Sequence, residues 1–188
     1  MPEIEVKLLG IDPDVVVSRL DELGATCLFS GLVKCVHFDF EDRPLKKAKS
    51  LFRLRRWEAE EGFPSKFEIC FKGPKQVVDG CKVREEIETT VEDADQFETM
   101  MKKLGYQITM DNEKTRRSYE WEGLHFDIDH YPQVPAYMEI EGKDRAAIDR
   151  GISVLKLEEF EGFEMSAETA NQLFKRLWPE VDFNWLKF

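Results

Sequence analysis

The segment EIEVKL, residues 3–8, alternates charged and apolar residues. In a β-strand, successive side chains point to opposite faces of the sheet, so Glu3, Glu5 and Lys7 share one face and the apolar residues share the other. The charged face carries two carboxylates and an ammonium group with no neutral residue between them. We therefore expect the apolar side of this strand to pack in a core and the charged side to line a site.

The composition is that of a soluble globular protein with many charged residues. The 188 residues are 42% hydrophobic and 35% charged, and the formal net charge is -11. A charge of this sign gives no overall attraction for phosphate backbones, so we expect no general nucleic-acid binding. No apolar run is long enough for a membrane span, and the N-terminus lacks the pattern of a secretion signal. We expect one domain over residues 1–188 and no membrane partner.

The cysteine spacing favours free thiols. None of the four cysteines forms a CxxC pair, and they stand at Cys27, Cys35, Cys70 and Cys81. A chain with few, unpaired cysteines and no secretion signal is more typical of a reducing compartment than of an oxidising one. We therefore expect a cytoplasmic protein.

The pattern of apolar residues predicts about eight strands, with helices in four of the gaps. The helices are expected at residues 12–24, 93–103, 144–157 and 166–177, the last with Ser166 as its N-cap. Residues 26–40 indicate a hairpin. The other strands are expected near residues 51–57, 67–73, 83–91, 114–122, 124–129 and 136–141. We expect the apolar C-terminal tail to pack on the body or on a partner. The fold class is α+β with mostly antiparallel strands.

The charged faces recur along these strands as residues two positions apart. The acids are Glu3, Glu5, Glu86, Glu88, Asp127, Asp129, Glu139 and Glu141. The bases are Lys7, Arg53, Arg55, Lys72, Arg84, Lys114 and Arg116. One such face alone is most simply a solvent-exposed face. As a set, they predict that the charged side of a mostly antiparallel sheet closes into a tunnel with a charged interior and helices packed on the outside.

A charged tunnel has to pair its charges, hold water or bind a charged ligand. Carboxylates clustered without His or Cys favour Mg²⁺ or Mn²⁺. Arginine and lysine opposite them suit phosphate oxygens. The arrangement therefore indicates phosphoryl transfer on a metal-bound polyphosphate.

The motifs resemble those of a known family. Glu3-x-Glu5-x-Lys7 is similar to the ExExK signature of the CYTH family, the triphosphate tunnel metalloenzymes, named for class IV adenylate cyclases and thiamine triphosphatases. The further similar motifs follow in order as His37-Phe38-Asp39, Arg53-x-Arg55, Lys72-Gly73, Arg84-x-Glu86-x-Glu88, Lys114-x-Arg116, Asp129 and Glu139-x-Glu141. The chain departs from the family pattern at Cys35, where an acidic residue is usual, and at His37, where a tyrosine is usual.

The resemblance implies an eight-stranded antiparallel β-barrel tunnel that binds a linear triphosphate, so that a triphosphate-containing small molecule is the expected partner. It also implies a role for each matching residue. Glu3, Glu5 and Glu141 correspond to the main metal ligands, and Asp129 and Glu139 to residues that bind a second metal or orient the attacking group. The residues expected to hold phosphate oxygens are Lys7, Arg53, Arg55, Lys72, Arg84, Lys114 and Arg116. Those expected to orient the cations or metal waters are Glu86 and Glu88. The residues expected to act in the chemical step are Lys7, Asp129 and Glu139.

Several functions remain open on the sequence alone. The first is metal-dependent hydrolysis of tripolyphosphate or an organic triphosphate. The second is a class IV adenylate cyclase, which makes cyclic AMP and pyrophosphate from ATP in a similar tunnel. The third is a polyphosphate or nucleotide binding module without turnover. The charged interior disfavours a lipocalin-like barrel for an apolar ligand. Trp57 would either pack or stack on a ring of the substrate, and the apolar tail is consistent with a homodimer.

Overall fold

The computed structural model describes residues 3–188, with the side chain of Glu3 outside the described part. The strands are β1 (Glu3–Leu9), β2 (Thr26–Asp39), β3 (Leu51–Ala59), β4 (Lys66–Lys72), β5 (Gln76–Val78), β6 (Cys81–Arg84), β7 (Glu86–Val91), β8 (Gln107–Trp121), β9 (Leu124–His130), β10 (Tyr137–Glu141) and β11 (Glu164–Ser166). The helices are α1 (Pro13–Glu22), α2 (Pro44–Lys47), α3 (Ala94–Lys103), α4 (Arg145–Val154) and α5 (Ala170–Leu177).

All the strands belong to one sheet with the order β5-β6-β1-β10-β9-β8-β2-β3-β4-β7, and β11 pairs with β1. The pairs between neighbours are antiparallel throughout, as between β1 and β10 or β2 and β8. The predicted class, α+β with an antiparallel sheet, is confirmed. No described helix is both long and apolar enough to cross a bilayer.

The chain itself joins β6, which is next to one end of this sheet, to β7 at the other end. β6 pairs with β1 and β7 pairs with β4, yet only Glu85 separates β6 from β7. The hydrogen-bonded sheet is therefore open, while the segment from β6 to β7 completes a ring with the seven strands from β1 to β4 in the sheet order. The Gly73 N–H donates to the Glu85 carbonyl (3.0 Å) at the junction. The ring has the eight positions that the sequence predicts.

The helices cover the outer, apolar faces of this ring. α1 contributes Val16 and Leu20, and α4 contributes Ile148 and Ile152, to one buried cluster with the outward side chains of β1, β9 and β10. α3 covers β2 and β3 through a second cluster that contains Phe97. Burying a side chain of this size contributes about 1.5–3 kcal/mol. With the apolar sides covered on the outside, the charged sides of the strands face inward.

The predicted hairpin at residues 26–40 is wrong, because β2 is a single strand of 14 residues. It pairs along its length with β3 on one side and β8 on the other. No two-residue turn interrupts it, and Gly31 lies where a side chain would collide with the Glu58 carbonyl of β3. The glycine therefore allows close strand approach instead of marking a turn.

Other boundaries also differ from the sequence prediction. α5 begins at Ala170 with a capping box of Thr169 and Gln172. Ser166 cannot cap it, because Ser166 belongs to β11 and pairs with Lys7 of β1. α4 ends at Val154 and α2 was not predicted, while the strand expected at 83–91 is divided at residue 85. The C-terminal tail packs on the body, where the Leu186 carbonyl accepts from the Glu113 N–H (2.8 Å).

Candidate active site

A cavity of about 1180 Å³ lies inside the ring of strands, and we call it the tunnel. Most of the residues predicted for the site line it. They are Glu5, Lys7, Arg53, Arg55, Lys72, Arg84, Glu86, Glu88, Lys114, Arg116, Glu139 and Glu141. Asp129 does not line the tunnel, and the predicted metal ligand Glu3 falls on a side chain outside the described part.

Adjacent β1 and β10 bring carboxylates and cations together at one side of the tunnel. The register places Glu5 opposite Glu141 and Lys7 opposite Glu139. The Lys7 ammonium lies 2.8 Å from carboxylate oxygens of both Glu5 and Glu139. Burial alone would lower the pKa of Lys7, but Glu139 and Glu5 raise it above its ordinary value. Lys7 is therefore a permanent cation that bridges two carboxylates.

Arg116 on β8 is the centre of a second network. Its Nε and Nη2 each lie 2.6 Å from an oxygen of Asp129, and Nη2 also lies 2.9 Å from Glu139. A further bond reaches Asp127. Asp129 is fully buried and accepts from Lys114 as well (2.6 Å). Its oxygens are thus directed at two cations and away from the cavity, a placement that suits a residue positioning Arg116 and Lys114.

The carboxyls and amine of this network differ in their pKa values. Burial alone would raise the pKa of Glu139, but Lys7 and Arg116 hold it well below its ordinary value. For Asp127 burial prevails over Arg116, and the pKa is raised. Burial and the charge of Arg116 lower the pKa of Lys114. Glu139 is consequently ionised and a weak proton acceptor, which fits a ligand or orienting group better than a base.

The wall formed by β3, β4 and β7 carries arginine and lysine held by glutamates. Arg55 contacts Glu68 (2.7 Å from Nε) and Glu88 (2.8 Å from Nη2). Lys72 pairs with Glu86. The buried Nε of Arg53 has no hydrogen-bond partner within residues 3–188. This wall therefore presents cations that are each in contact with a glutamate, Lys72 with Glu86 and Arg55 with Glu88.

Lys82 and Glu68 were not assigned to the site from sequence, and Asp127 was counted among the acids of the charged faces but given no role. Lys82 lies 2.6 Å from Glu5, and Glu68 is buried against Arg55. Asp127 lines the tunnel and accepts from Ser118 Oγ (2.5 Å). The signal was present in each case. Lys82 is two positions before Arg84, Glu68 is four before Lys72, and Asp127 is two before Asp129.

Trp57 packs inside the wall of the tunnel. Its indole is 7% exposed and forms an edge contact with Phe29 at a ring-centroid distance of 4.9 Å. The guanidinium of Arg55 lies over the ring, 4.8 Å from its centroid, and the Lys66 ammonium lies 4.7 Å from it. A ring covered in this way leaves little room for stacking on a substrate. The structure favours the packing interpretation.

The donor groups at β1 and β10 fit a hard divalent cation. Glu5, Glu139 and Glu141 offer carboxylate oxygens, which Mg²⁺ and Mn²⁺ prefer, and the Lys7 ammonium already lies between two of them. Among the described residues, however, the trio whose ligand atoms all lie within 4.8 Å of one another is Cys70, Glu86 and Glu88.

The Cys70 group is less suited to a metal than its spacing indicates. Burial raises the pKa of the Cys70 thiol to about 11, so that the sulfur is protonated near neutral pH. Glu86 and Glu88 are meanwhile engaged by Lys72 and Arg55. Glu5 and Glu139 are paired with Lys7 in the same way, so the protonated thiol is what makes the carboxylates on β1 and β10 the better candidates.

His37 is a neutral imidazole in a strongly cationic place. Burial first, and then Arg53 and Lys72, lower its pKa from the ordinary 6.5 to about 3. The unfolded chain binds a proton here at a higher pH than the folded protein, so the stability that depends on neutral His37 is present above pH 6.5 and is lost as pH falls towards 3.

We expect His37→Gln to show a weaker loss of stability in acid. The free energy of unfolding of the wild type should fall faster between pH 6.5 and 4 than that of the variant, because glutamine cannot bind a proton. Urea unfolding at a series of pH values measures this, with exposed His130→Gln as the control. Two parallel pH profiles for wild type and His37→Gln would contradict the expectation.

The fold and the cavity define a β-tunnel protein with a charged interior. Comparison with known sequences identifies its family: residues 1–169 match the CYTH domain, and the chain belongs to the CYTH domain family. A Methanocaldococcus jannaschii protein named "Putative adenylate cyclase" is 30% identical over 141 residues, which are 75% of this chain and 77% of that protein.

Solved structures share the fold. The PH1819 protein of Pyrococcus horikoshii superposes with a TM-score of 0.71 at 22% identity, over 93% of this chain and 98% of that one. A Hippeastrum protein, described as a "putative adenylyl cyclase" with a dominant triphosphatase activity, has a TM-score of 0.67 at 19% identity, over 93% of this chain and 95% of that one. At these identities the likeness shows the fold alone.

Proposed function

We propose that this protein is a metal-dependent phosphohydrolase that acts on the triphosphate group of tripolyphosphate or of an organic triphosphate. The observation that carries the proposal is the division of the tunnel into two kinds of wall. β1 and β10 present the carboxylates of Glu5, Glu139 and Glu141, and β3, β4 and β8 present oriented guanidinium and ammonium groups. A metal-complexed triphosphate requires both.

The cations bind and orient the phosphate chain. Arg53, with an unpartnered Nε, and Arg55 offer planar donors that hold two phosphate oxygens at once. Arg116 and Lys114 are fixed by Asp129, so their charge meets the substrate without reorganising. In phosphoryl transfer such positioning and charge stabilisation account for most of the catalysis.

The acidic wall orients the other reactants. Glu5, Glu139 and Glu141, with Glu3 by family resemblance, would hold Mg²⁺ or Mn²⁺. The bound cation supplies charge neutralisation on the phosphate oxygens and acidifies water. Glu139, kept ionised by Lys7 and Arg116, orients the attacking group instead of taking its proton. Asp129 acts through Arg116 and Lys114 as a positioning residue.

An adenylate cyclase is the second candidate. The name of the M. jannaschii relative favours it, as does the apolar lining of one tunnel mouth by Leu28, Phe29 and Pro64. The tunnel serves water or a ribose hydroxyl as the attacking group equally well, and product identity separates the two reactions.

We expect orthophosphate as the main product when the pure protein is incubated with Mg²⁺ or Mn²⁺ and tripolyphosphate, thiamine triphosphate or ATP. Chromatography measures orthophosphate, pyrophosphate and cyclic AMP. Glu5→Ala should abolish the product, while Glu22→Ala, at an exposed position of α1 outside the tunnel lining, should not. Cyclic AMP with pyrophosphate would replace the proposal by the cyclase, and binding without product would leave a binding module.

We further propose a cytoplasmic location, which the four free thiols support. The homodimer stays a prediction.

A further inference from the structure

One mouth of the tunnel carries cations that take no part in the networks described above. We call them the basic rim, and its members line the cavity as Arg43, Lys46, Lys49, Lys75 and Lys175. All are exposed except Lys75, which is half-buried. Within the described part of the chain, none of the five forms an ion pair, whereas the neighbouring Lys47 lies 3.9 Å from Asp42. The rim is thus a concentration of uncompensated positive charge in a chain of net charge -11.

The backbone of the rim is held in a defined conformation. Asp39 is 4% exposed, and its carboxylate accepts from the N–H groups of Phe40, Leu45 and Lys46 at 2.9–3.1 Å. Arg43 and Lys49 adopt left-handed φ angles of 56° and 57°. Such angles cost roughly 1–3 kcal/mol in residues other than glycine and persist where the surroundings impose them. A buried carboxylate therefore fixes the segment that carries three of the five cations.

The rim continues the phosphate-facing cations of the tunnel. Arg84 Nη2 donates to the Lys49 carbonyl (3.3 Å), which joins the two sets directly. Lys75 lies on the chain just after β4 and binds Gln172 of α5 (2.5 Å). Burial and then the charge of Lys82 lower the pKa of Lys75, in keeping with a positive potential at this mouth.

The opposite mouth has a different character. There β2 contributes Phe29, ten residues before Asp39, which corresponds to about 33 Å along the strand. The residues around it include the apolar Leu28 and Pro64, and the cation there, Lys66, is paired with Glu68 at 3.0 Å. Only one end of the tunnel is therefore suited to a ligand that remains anionic beyond the third phosphate.

We propose that the basic rim binds the part of a linear inorganic polyphosphate that extends past the three phosphates held in the tunnel. The inference rests on the proposed function, since it assigns the substrate class of the same site. An RNA chain is less suited, because the aromatic residues lining this end, Phe38, Tyr131 and Phe183, are 2%, 6% and 7% exposed and offer no ring for base stacking.

The test compares chain lengths in three proteins. The rim variant is Lys46→Gln, Lys49→Gln and Lys175→Gln combined. The matched control removes the same charge at exposed positions outside the tunnel lining, as Lys47→Gln, Lys103→Gln and Lys143→Gln. Binding of long-chain polyphosphate and of tripolyphosphate is measured with metal chelated, so that no turnover occurs. Hydrolysis is measured separately with Mg²⁺.

We expect the wild type and the control variant to bind the long chain more tightly than tripolyphosphate. The rim variant should bind the long chain about 10–100-fold more weakly and with a flatter salt dependence, because each lost cation removes one phosphate contact. Its binding of tripolyphosphate should fall by less than about threefold, since three phosphates end before the rim.

Other results would overturn the inference. Equal weakening for both chain lengths, an equal effect of the control variant, or no length preference in the wild type would each do so. Tighter rim-dependent binding of a 5′-triphosphorylated oligoribonucleotide would also overturn it, in favour of RNA. Failure of the proposed function is separate, because it appears as absent orthophosphate while rim-dependent binding persists.

Discussion

Arg116→Ala should reduce kcat/KM for the triphosphate substrate by about 100–1000-fold, the effect expected when one preorganised donor of a charge-stabilising site is removed. It should also reduce the free energy of unfolding by about 3–5 kcal/mol, because three carboxylates of the buried network lose a cation that they share. Those partners are Asp127, Asp129 and Glu139. Steady-state kinetics and urea unfolding measure the two effects.

The neighbouring Arg117→Ala is the matched control, since Arg117 is exposed on the other face of β8. It should leave both quantities nearly unchanged. If Arg116→Ala does not fold, the pair Arg116→Leu with Asp129→Leu should recover stability by removing charge from both partners. The pair should remain inactive. Activity close to wild type in either variant would exclude Arg116 from the phosphate site.

Glu139→Gln and Asp129→Asn should impair the enzyme in different ways. Glu139 lines the tunnel beside Glu5, so its variant should lower kcat by about 100-fold or more and raise the metal concentration for half-maximal activity by about 10–100-fold. Asp129 contacts Lys114 and Arg116 but does not itself line the tunnel. Its variant should raise KM for the triphosphate and leave the metal requirement near that of the wild type.

Titrations with Mg²⁺ and with tripolyphosphate separate the two effects, and Glu22→Gln, at an exposed position of α1, is the control. A shift of metal requirement in Asp129→Asn as large as in Glu139→Gln would instead make Asp129 a metal ligand. That role is the one that the family resemblance implies.

The period-two alternation of charge predicted much of this site because it depends on the strand alone. Once Glu5, Arg55 or Arg116 is on an inward face, the ring brings these faces together whatever the loops do. The alternation cannot show whether an inward side chain reaches the cavity or is buried beneath its neighbours. Asp129 and Glu139 have the same pattern in the sequence, yet one is sealed behind Arg116 and the other lines the cavity.

The ends of helices and strands were less predictable, because contacts with distant parts of the chain decide them. Ser166 is a good helix cap by itself, but pairing with Lys7 places it in a strand and transfers the cap to Thr169. Gly31 has the local character of a turn residue, but its role is to let β3 approach. The basic rim also depends on distant segments, since residues 43–49, Lys75 and Lys175 meet only in the fold.

Because β6 continues into β7 through Glu85, the ring depends on two strand pairings of unequal length, β6 with β1 and β7 with β4. Among the described residues, the ladder from β6 to β1 has three residue pairs, whereas that from β7 to β4 has six. Thermal opening begins where strand pairing is weakest, so we expect the ring to open first between β6 and β1. We expect a fluctuation there to separate Lys82 from Glu5, while Arg84 stays bonded to the carbonyls of Lys49, Lys72 and Gly73. Sheet order thus decides which side of the tunnel yields to a bulky substrate and which keeps its dimensions.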